Sequence, residues 1–285
     1  MKLVALGHVT NDRLATGIVP GGSSLYAAFA AAELGAEARI ETSAGPDWVG
    51  EELCRAAGIS VGSRPAEVTT CFENTYGPHG RVQRVHGRAI SLERPVASAD
   101  VVFVCPVIGE IEDSALVAPK GAIVGAGLQG WLRALDADGV VHKQGYGDAA
   151  RFDPCHVLFA SEEDLGGGSA TEDAVAELRR HAGLVVITDG ARGSRLWQGD
   201  RVIHVPAYPT KEVDPTGAGD VFAVTVLLGL RAGETPAQAA IRGSCAASVV
   251  IEDVGPAALP RLGRELPARL ARYAAQAGAP RESTA

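Results

Sequence analysis

Apolar positions along the chain follow two rhythms. Short β-branched runs at residues 3–6, 38–41, 100–105, 122–124, 157–159 and 184–188 read as strands buried on both faces. Between several of them, apolar residues recur every three to four positions over 24–34, 48–57, 171–181, 218–231 and 235–250, the period of helices with one buried face. Strands alternating with helices predict a mainly parallel sheet covered by helices. The stretch 68–89 breaks this rhythm, because two extended runs, 69–76 and 81–88, are joined by Gly77-Pro78-His79-Gly80 as in a hairpin. Its few apolar and many charged residues predict a flap that projects from the sheet, joined by 11–19; an ordinary edge hairpin is the alternative. Residues 260–285 repeat arginine and alanine and predict a terminal helix followed by a frayed tail from Pro280. With neither an internal repeat nor a linker, one domain over 1–285 is expected, its lid drawn from about 11–19 and 62–94.

Composition narrows the function. The 285 residues, 46% hydrophobic and 21% charged, are those of a folded chain with an ample core. A formal net charge of −8 lacks the basic footprint of phosphate-backbone binding, so no nucleic-acid partner is expected. Cys54, Cys71, Cys105, Cys155 and Cys245 stand far apart with no C-x-x-C pair, which predicts a reduced protein without structural zinc. The apolar run that follows Met1 is too short for a signal segment, and the longest apolar candidate, 221–230, is interrupted by Thr225 and Gly229. A cytoplasmic protein with no membrane partner is expected.

The strongest chemical signal is Val213-Asp214-Pro215-Thr216-Gly217-Ala218-Gly219-Asp220, placed directly before an apolar helix. Glycines at a helix start let N–H groups converge on an anion, and the helix dipole favours negative charge there. Asp220 then falls in the first turn, either as a helix-stabilising charge or as a base beside bound phosphate.

The run Asp-Pro-Thr-Gly-Ala-Gly-Asp-Val-Phe resembles the C-terminal signature of the ribokinase-like (PfkB-type) sugar kinases. The resemblance extends to Gly21-Gly22 before an alanine-rich helix, to Gly45-x-Asp47-x-x-Gly50, and to Thr188-Asp189-Gly190-Ala191-Arg192-Gly193. It implies a ribokinase-like three-layer α/β/α fold with a mainly parallel sheet and a small β-sheet lid. It also implies transfer of the γ-phosphoryl group of ATP to a hydroxyl of a sugar, an inositol-like polyol or a nucleoside. Asp220 would be the catalytic base, and Gly217, Ala218 and Gly219 the anion hole. Asp12, Gly21 and Gly22 would hold the acceptor, and Thr188, Gly190 and Gly193 would run along the nucleotide phosphates with Ser161, and Cys245 beside the adenine. Asp214 matches an acidic residue that organises a monovalent-cation (K⁺) site in many members.

Two departures from the family pattern bear on specificity and metal. Tyr26 stands where many relatives have Asn, which predicts a tighter, more apolar pocket whose flat ring suits a cyclic acceptor; the alternative is that it packs under its own helix. Ser161-Glu162-Glu163-Asp164 replaces Asn-x-x-Glu, so Glu163 or Asp164 would hold hydrated Mg²⁺.

Gly125-Ala126-Gly127-Leu128-Gln129-Gly130 satisfies a dinucleotide fingerprint, yet a long helix cannot fit before Asp136. Gln129 and Arg133 instead resemble a Gln-Gly-x-x-Arg segment of inositol- and nucleoside-type kinases, which makes both acceptor ligands. Lid closure would exclude water, and an exposed lid face would accommodate a homodimer. A catalytically silent sugar- or nucleotide-binding regulator on the same fold and an NAD(P)-dependent oxidoreductase are the competing readings. The absence of G-x-x-x-x-G-K-[ST] excludes P-loop chemistry.

Overall fold

The computed structural model describes residues 1–77 and 80–284; Pro78 and His79, the centre of the expected hairpin turn, lie outside the described residues. The first half runs β1 (Lys2–Leu6), β2 (Thr10–Leu14), β3 (Gly17–Gly21), α1 (Ser23–Glu33), β4 (Glu37–Ala44), α2 (Glu51–Ala56), β5 (Ser60–Pro65), β6 (Thr70–Gly77), β7 (Gly80–Gly87), β8 (Val101–Val104) and β9 (Ile123–Gly127). The second half adds β10 (Arg133–Leu135), β11 (Val141–Lys143), β12 (Val157–Ser161), α3 (Glu162–Leu165), α4 (Ser169–Leu178), β13 (Leu184–Thr188), β14 (Ser194–Gln198), β15 (Arg201–Val205), α5 (Ala218–Arg231), α6 (Pro236–Val250), α7 (Leu262–Gln276) and β16 (Arg281–Thr284).

The large sheet has the order β16-β15-β14-β13-β12-β9-β8-β1-β4-β5, parallel from β13 to β5 and antiparallel beyond β13. Its central strands read as unbroken apolar runs because both faces are covered. Leu3, Ala5, Val101, Phe103, Val157 and Phe159 pack with side chains of α1, α5, α6 and α7. The alternate residues, Val4, Leu6, Val102, Val104, Leu158 and Val185, pack on the other side with Trp131 and Phe152, whose rings meet edge to face at 5.2 Å. The fold is therefore a large mainly parallel sheet between helices, with a small sheet beside it.

The small sheet, β3-β2-β6-β7, joins the two expected extended segments in one layer. It is tied to the body at its β7 edge, where the Val85 N–H donates to the Gly139 carbonyl (2.8 Å). Phe72, Val107 and Ile108 form a separate apolar cluster there with Val85, Leu135 and Val141. Residues 62–65, expected in the lid, belong instead to β5 at the edge of the large sheet. The tail expected to fray forms β16, paired antiparallel to β15 with Arg201 opposite Thr284. All four of its residues are exposed, so backbone pairing rather than burial holds it, and no apolar pattern announced it. The β14–β15 hairpin is also antiparallel.

The glycines of the dinucleotide-like run have packing reasons. A Cβ on Gly125 would lie 2.7 Å from the Leu227 side chain, and one on Gly130 would lie 2.4 Å from the Pro106 backbone. The short strand β10 follows, not a helix, which removes the basis of the oxidoreductase reading. No helix among the described residues is long and apolar enough to cross a membrane, and all five cysteines are buried and unbridged.

Because Leu227 is fully buried in the α5 layer, it has little room to yield to a methyl group on β9. Gly125→Ala is expected to lower the unfolding free energy by about 1–3 kcal/mol through overpacking, measured by urea titration.

Candidate active site

Two helix N-termini, those of α1 and α5, open into one cleft of about 370 Å³ at the carboxyl ends of the parallel strands. The small sheet contributes Thr10, Asp12, Phe72, Asn74 and Gln83 to it, and the large sheet contributes Phe103, Gly127 and Phe159. Of the expected site residues, Asp12, Gly22, Tyr26, Gln129, Arg133, Ser161, Glu163, Asp164, Thr188, Gly217, Gly219 and Asp220 line this cleft.

The α5 end is held by its own loop. Asp214 accepts bonds from Thr216 N–H (2.9 Å) and Thr216 Oγ1 (2.6 Å) on one oxygen and from Gly255 N–H (2.9 Å) on the other. These bonds keep its carboxyl below the usual range even though burial opposes them. Gly217 then turns with φ +80°, and a Cβ there would lie 2.1 Å from the Tyr26 ring. Gly219 differs, since a Cβ on it would meet no neighbour within 4 Å. The Ala218 N–H closes the turn onto the Pro215 carbonyl (3.2 Å), and Ala218 is absent from the cleft lining. Its amide is therefore engaged in the loop rather than offered as the third donor of the expected anion hole.

Asp220 follows in the first helical turn. Burial pushes its carboxyl up to about 6, against the opposing pull of the Ser23 hydroxyl and the Arg133 charge. Asp164 adds a smaller upward push. Across the cleft, Asp12 accepts from Thr10 Oγ1 at 2.8 Å and is likewise raised to about 6, mainly by burial. Gly21 is packed beneath it, where a Cβ would fall 2.2 Å from Asp12 Oδ2. Gly22 sits at φ +98°, with a Cβ position 2.6 Å from the His8 carbonyl, so the entry into α1 requires glycine. Arg133 donates to the Val107 carbonyl (3.1 Å), which turns its guanidinium toward the Asp220 side of the cleft.

Three expected residues or loops are placed differently from the centre of the cleft. Tyr26 borders the cleft but is only 2% exposed, and its ring packs against Gly217, so it also supports the α5 loop. Cys245 is fully buried within α6 and does not reach the cleft. Gly190 and Gly193 also lie outside it. Gly193, at φ +96°, lets the chain pass the Val205 carbonyl, and it borders a separate groove of about 830 Å³ formed with residues 277–283.

Sequence reasoning missed Ser23, Asn74 and Gln83. The last two face each other on β6 and β7, with Gln83 Nε2 donating to Asn74 Oδ1 at 3.0 Å. The alternation Thr70, Phe72, Asn74 was the available signal, but in a sheet polar on both sides it does not stand out. Ser161 caps α3, accepting from Asp164 N–H (2.9 Å) and donating to Asp164 Oδ2 (2.7 Å). Among the described residues no group of three or more His, Cys, Asp or Glu side chains could hold a metal ion. A hydrated Mg²⁺ held largely by phosphate oxygens fits Glu163 and Asp164; a protein cage does not.

Comparison with known proteins places the fold. Residues 148–261 match the pfkB family of carbohydrate kinases. An inositol 3-kinase of Arabidopsis thaliana is 31% identical over 138 residues, covering 47% of this chain and 37% of that protein. The bifunctional protein HldE of Azorhizobium caulinodans is 27% identical over 289 positions, covering 92% of this chain and 59% of the relative. The chain thus spans less than two thirds of the length of either. A sulfate complex of a pyrophosphate-dependent kinase in the ribokinase family superposes with a TM-score of 0.80 at 19% identity, covering 93% and 99% of the two chains. The nucleoside kinase of Burkholderia thailandensis in complex with inosine superposes with a TM-score of 0.76 at 17% identity, covering 96% and 99%. The architecture is a ribokinase fold. The likeness to pfkB-family carbohydrate kinases covers residues 148–261.

Raised carboxyls oppose folding when ionised. With a folded pKa of about 6 against an ordinary value of 3.8, Asp220 contributes most to stability below pH 3.8, and that contribution is lost as pH rises through 6. Asp220→Asn is accordingly expected to stabilise the protein at pH 8 by on the order of 2 kcal/mol, with the difference vanishing near pH 4. Thermal melts at the two pH values check it; equal melting temperatures at pH 8 would contradict the burial of the charge.

Proposed function

We propose that this domain transfers a terminal phosphoryl group to a hydroxyl of a small neutral polyol, with Asp220 as the base. The observation that carries the reading is the convergence of Asp220, the Gly217 and Gly219 backbone, and Asp12 on one cleft. A carboxylate beside an anion-binding helix end would repel phosphate unless it served the hydroxyl that attacks it. With its pKa near 6, Asp220 is ionised at neutral pH and close enough to the working range to take a proton. The glycine backbone of the α5 terminus supports charge on the phosphoryl oxygens, and Arg133 adds a cation on the same side. Glu163 and Asp164 would hold hydrated Mg²⁺, which when bound would neutralise charge on the donor phosphates.

Acceptor class follows from the other wall. Asp12, Asn74, Gln83 and Gln129 present acceptors and amide donors, which suit the paired donor and acceptor character of hydroxyl groups. The Arg133 guanidinium is turned to the Val107 carbonyl and Asp220. An inositol-like polyol therefore fits better than a sugar acid, in keeping with the inositol 3-kinase relatives.

ATP is the expected donor, but one observation favours a second donor. In the segment expected beside adenine, Ser244 Oγ accepts from Tyr208 N–H (2.8 Å), and Ser248 donates to the Cys245 carbonyl (2.7 Å). Arg269 stacks over Tyr208, and none of these residues lines the cleft. Pyrophosphate, the donor named for similar solved structures, needs no such groove. Asp214, closed on its own turn, is read as a loop clamp, so K⁺ would act only weakly. A second copy of the chain is the partner proposed for the small sheet, where Leu14 and Ile18 stand exposed.

A screen of ATP and pyrophosphate against myo-inositol, ribose, fructose and cytidine, with and without K⁺, tests the reading. Transfer to the polyol is expected, with kcat/KM rising through an apparent pKa near 6. Asp220→Asn should lower kcat at least roughly 10²-fold with donor affinity retained. Near-wild-type kcat in that variant would remove Asp220 as base.

A further inference from the structure

Behind the acceptor wall lies a buried polar hub that the transfer chemistry does not use. His8 and Glu110 are both fully buried. His8 Nε2 lies 2.9 Å from the Ile90 carbonyl, which can only accept, so Nε2 carries the proton. Nδ1 is paired with Thr70 Oγ1 at 2.8 Å, and Thr70 Oγ1 accepts from Ala89 N–H at 3.0 Å. The ring thus ties the segment after β1 to the first residue of β6 and to the segment that follows β7.

Glu110 continues the hub on the other side. Its carboxylate accepts the backbone N–H groups of His8 (3.0 Å), Val107 (2.9 Å) and Ile108 (2.8 Å). Val107 then uses its carbonyl to hold Arg133. Thr70 stands opposite Thr10 in the β2–β6 ladder, and Thr10 holds Asp12. One set of buried hydrogen bonds therefore reaches Asp12 by way of β2 and Arg133 by way of Val107. The adjacent Thr69 points the other way, to Asp47 Oδ1 at 2.8 Å, and Asp47 accepts from Asn11 Nδ2 through its carbonyl (2.9 Å). Thr69, just before β6, and Thr70, its first residue, thereby fix the root of the small sheet from two sides.

We propose that His8, Thr70 and Glu110 are positioning residues that set the placement of Asp12 and Arg133 relative to Asp220, and so govern acceptor binding without touching the acceptor. The proposal rests on the reading of Asp12 as an acceptor ligand. A merely stabilising cluster would lower the melting temperature alone; a positioning hub must change acceptor affinity separately from the donor side.

Thr70→Val keeps the shape while removing the hydroxyl that serves both His8 Nδ1 and Ala89 N–H, and Thr70→Ser restores that hydroxyl. The expected result for Thr70→Val is acceptor KM raised roughly tenfold, with donor KM and acceptor-independent donor hydrolysis within about twofold of wild type, and recovery in Thr70→Ser. Unchanged acceptor KM, or an equal loss on donor and acceptor sides, would overturn the proposal. Hydrogen exchange supplies an arm that needs no turnover. Amides of β2 are expected to exchange faster in Thr70→Val while those of β8 and β9 do not change, and unchanged β2 exchange would overturn the hub even if no acceptor were ever phosphorylated.

Discussion

The contact between the Tyr26 ring and Gly217 is the constraint around which the cleft is organised. It brings the first turn of α1 against the loop that starts α5, so two helix dipoles point into the same space. Neither partner can change alone. A side chain at 217 meets the ring, and the positive φ at 217 disfavours any other residue. The ring in turn is sealed from solvent by the loop it supports. Asp214 completes the arrangement from behind by bonding both Thr216 and Gly255.

Low polarity around the two carboxyls follows from this packing. Phe72, Phe103, Phe159 and Phe222 border the same cleft as Asp12 and Asp220, and burial is the largest cause of the rise in both acids. An aqueous site would leave both far more acidic and poorer as proton acceptors. The core packing of the sheet and the acidity at its edge are therefore coupled, since the side chains that border the strands also bury Asp12 and Asp220. The cost is an ionised carboxylate in a place that disfavours charge, a stability penalty accepted where proton transfer is needed.

Much of this was legible in the chain. Both-face burial made the central strands visible as apolar runs, and α5 was bounded correctly at Ala218–Arg231 because glycine punctuation and periodicity agreed. Asp220, Asp12, Gln129 and Arg133 line one cleft: Asp220 opens α5, Gln129 follows β9, Arg133 begins β10 and Asp12 lies in β2 of the small sheet. What escaped depended on distant partners. The burial of Tyr26 under Gly217 joins residues 191 positions apart, and nothing local distinguishes a supporting ring from a lining one. Cys245 shows the same limit, because a position beside a groove and a position inside a helix share one sequence. The strands β14, β15 and β16 carry mixed polarity at the end of the sheet, so pairing geometry decided them where hydrophobic pattern could not.

The outermost strand has a consequence for solubility. A bare β15 would present a row of N–H and C=O groups to any extended chain, and β16 occupies that row with residues that carry charge and hydroxyls outward. Arg201 and Glu282 add an ion pair across the seam at 2.5 Å. Since no buried side chain anchors this strand, its departure costs little and happens well below the free energy of global unfolding. The seam thus covers β15 and hands the edge of the sheet to a short strand whose exposed residues are charged or hydroxylic, which disfavours edge-to-edge pairing.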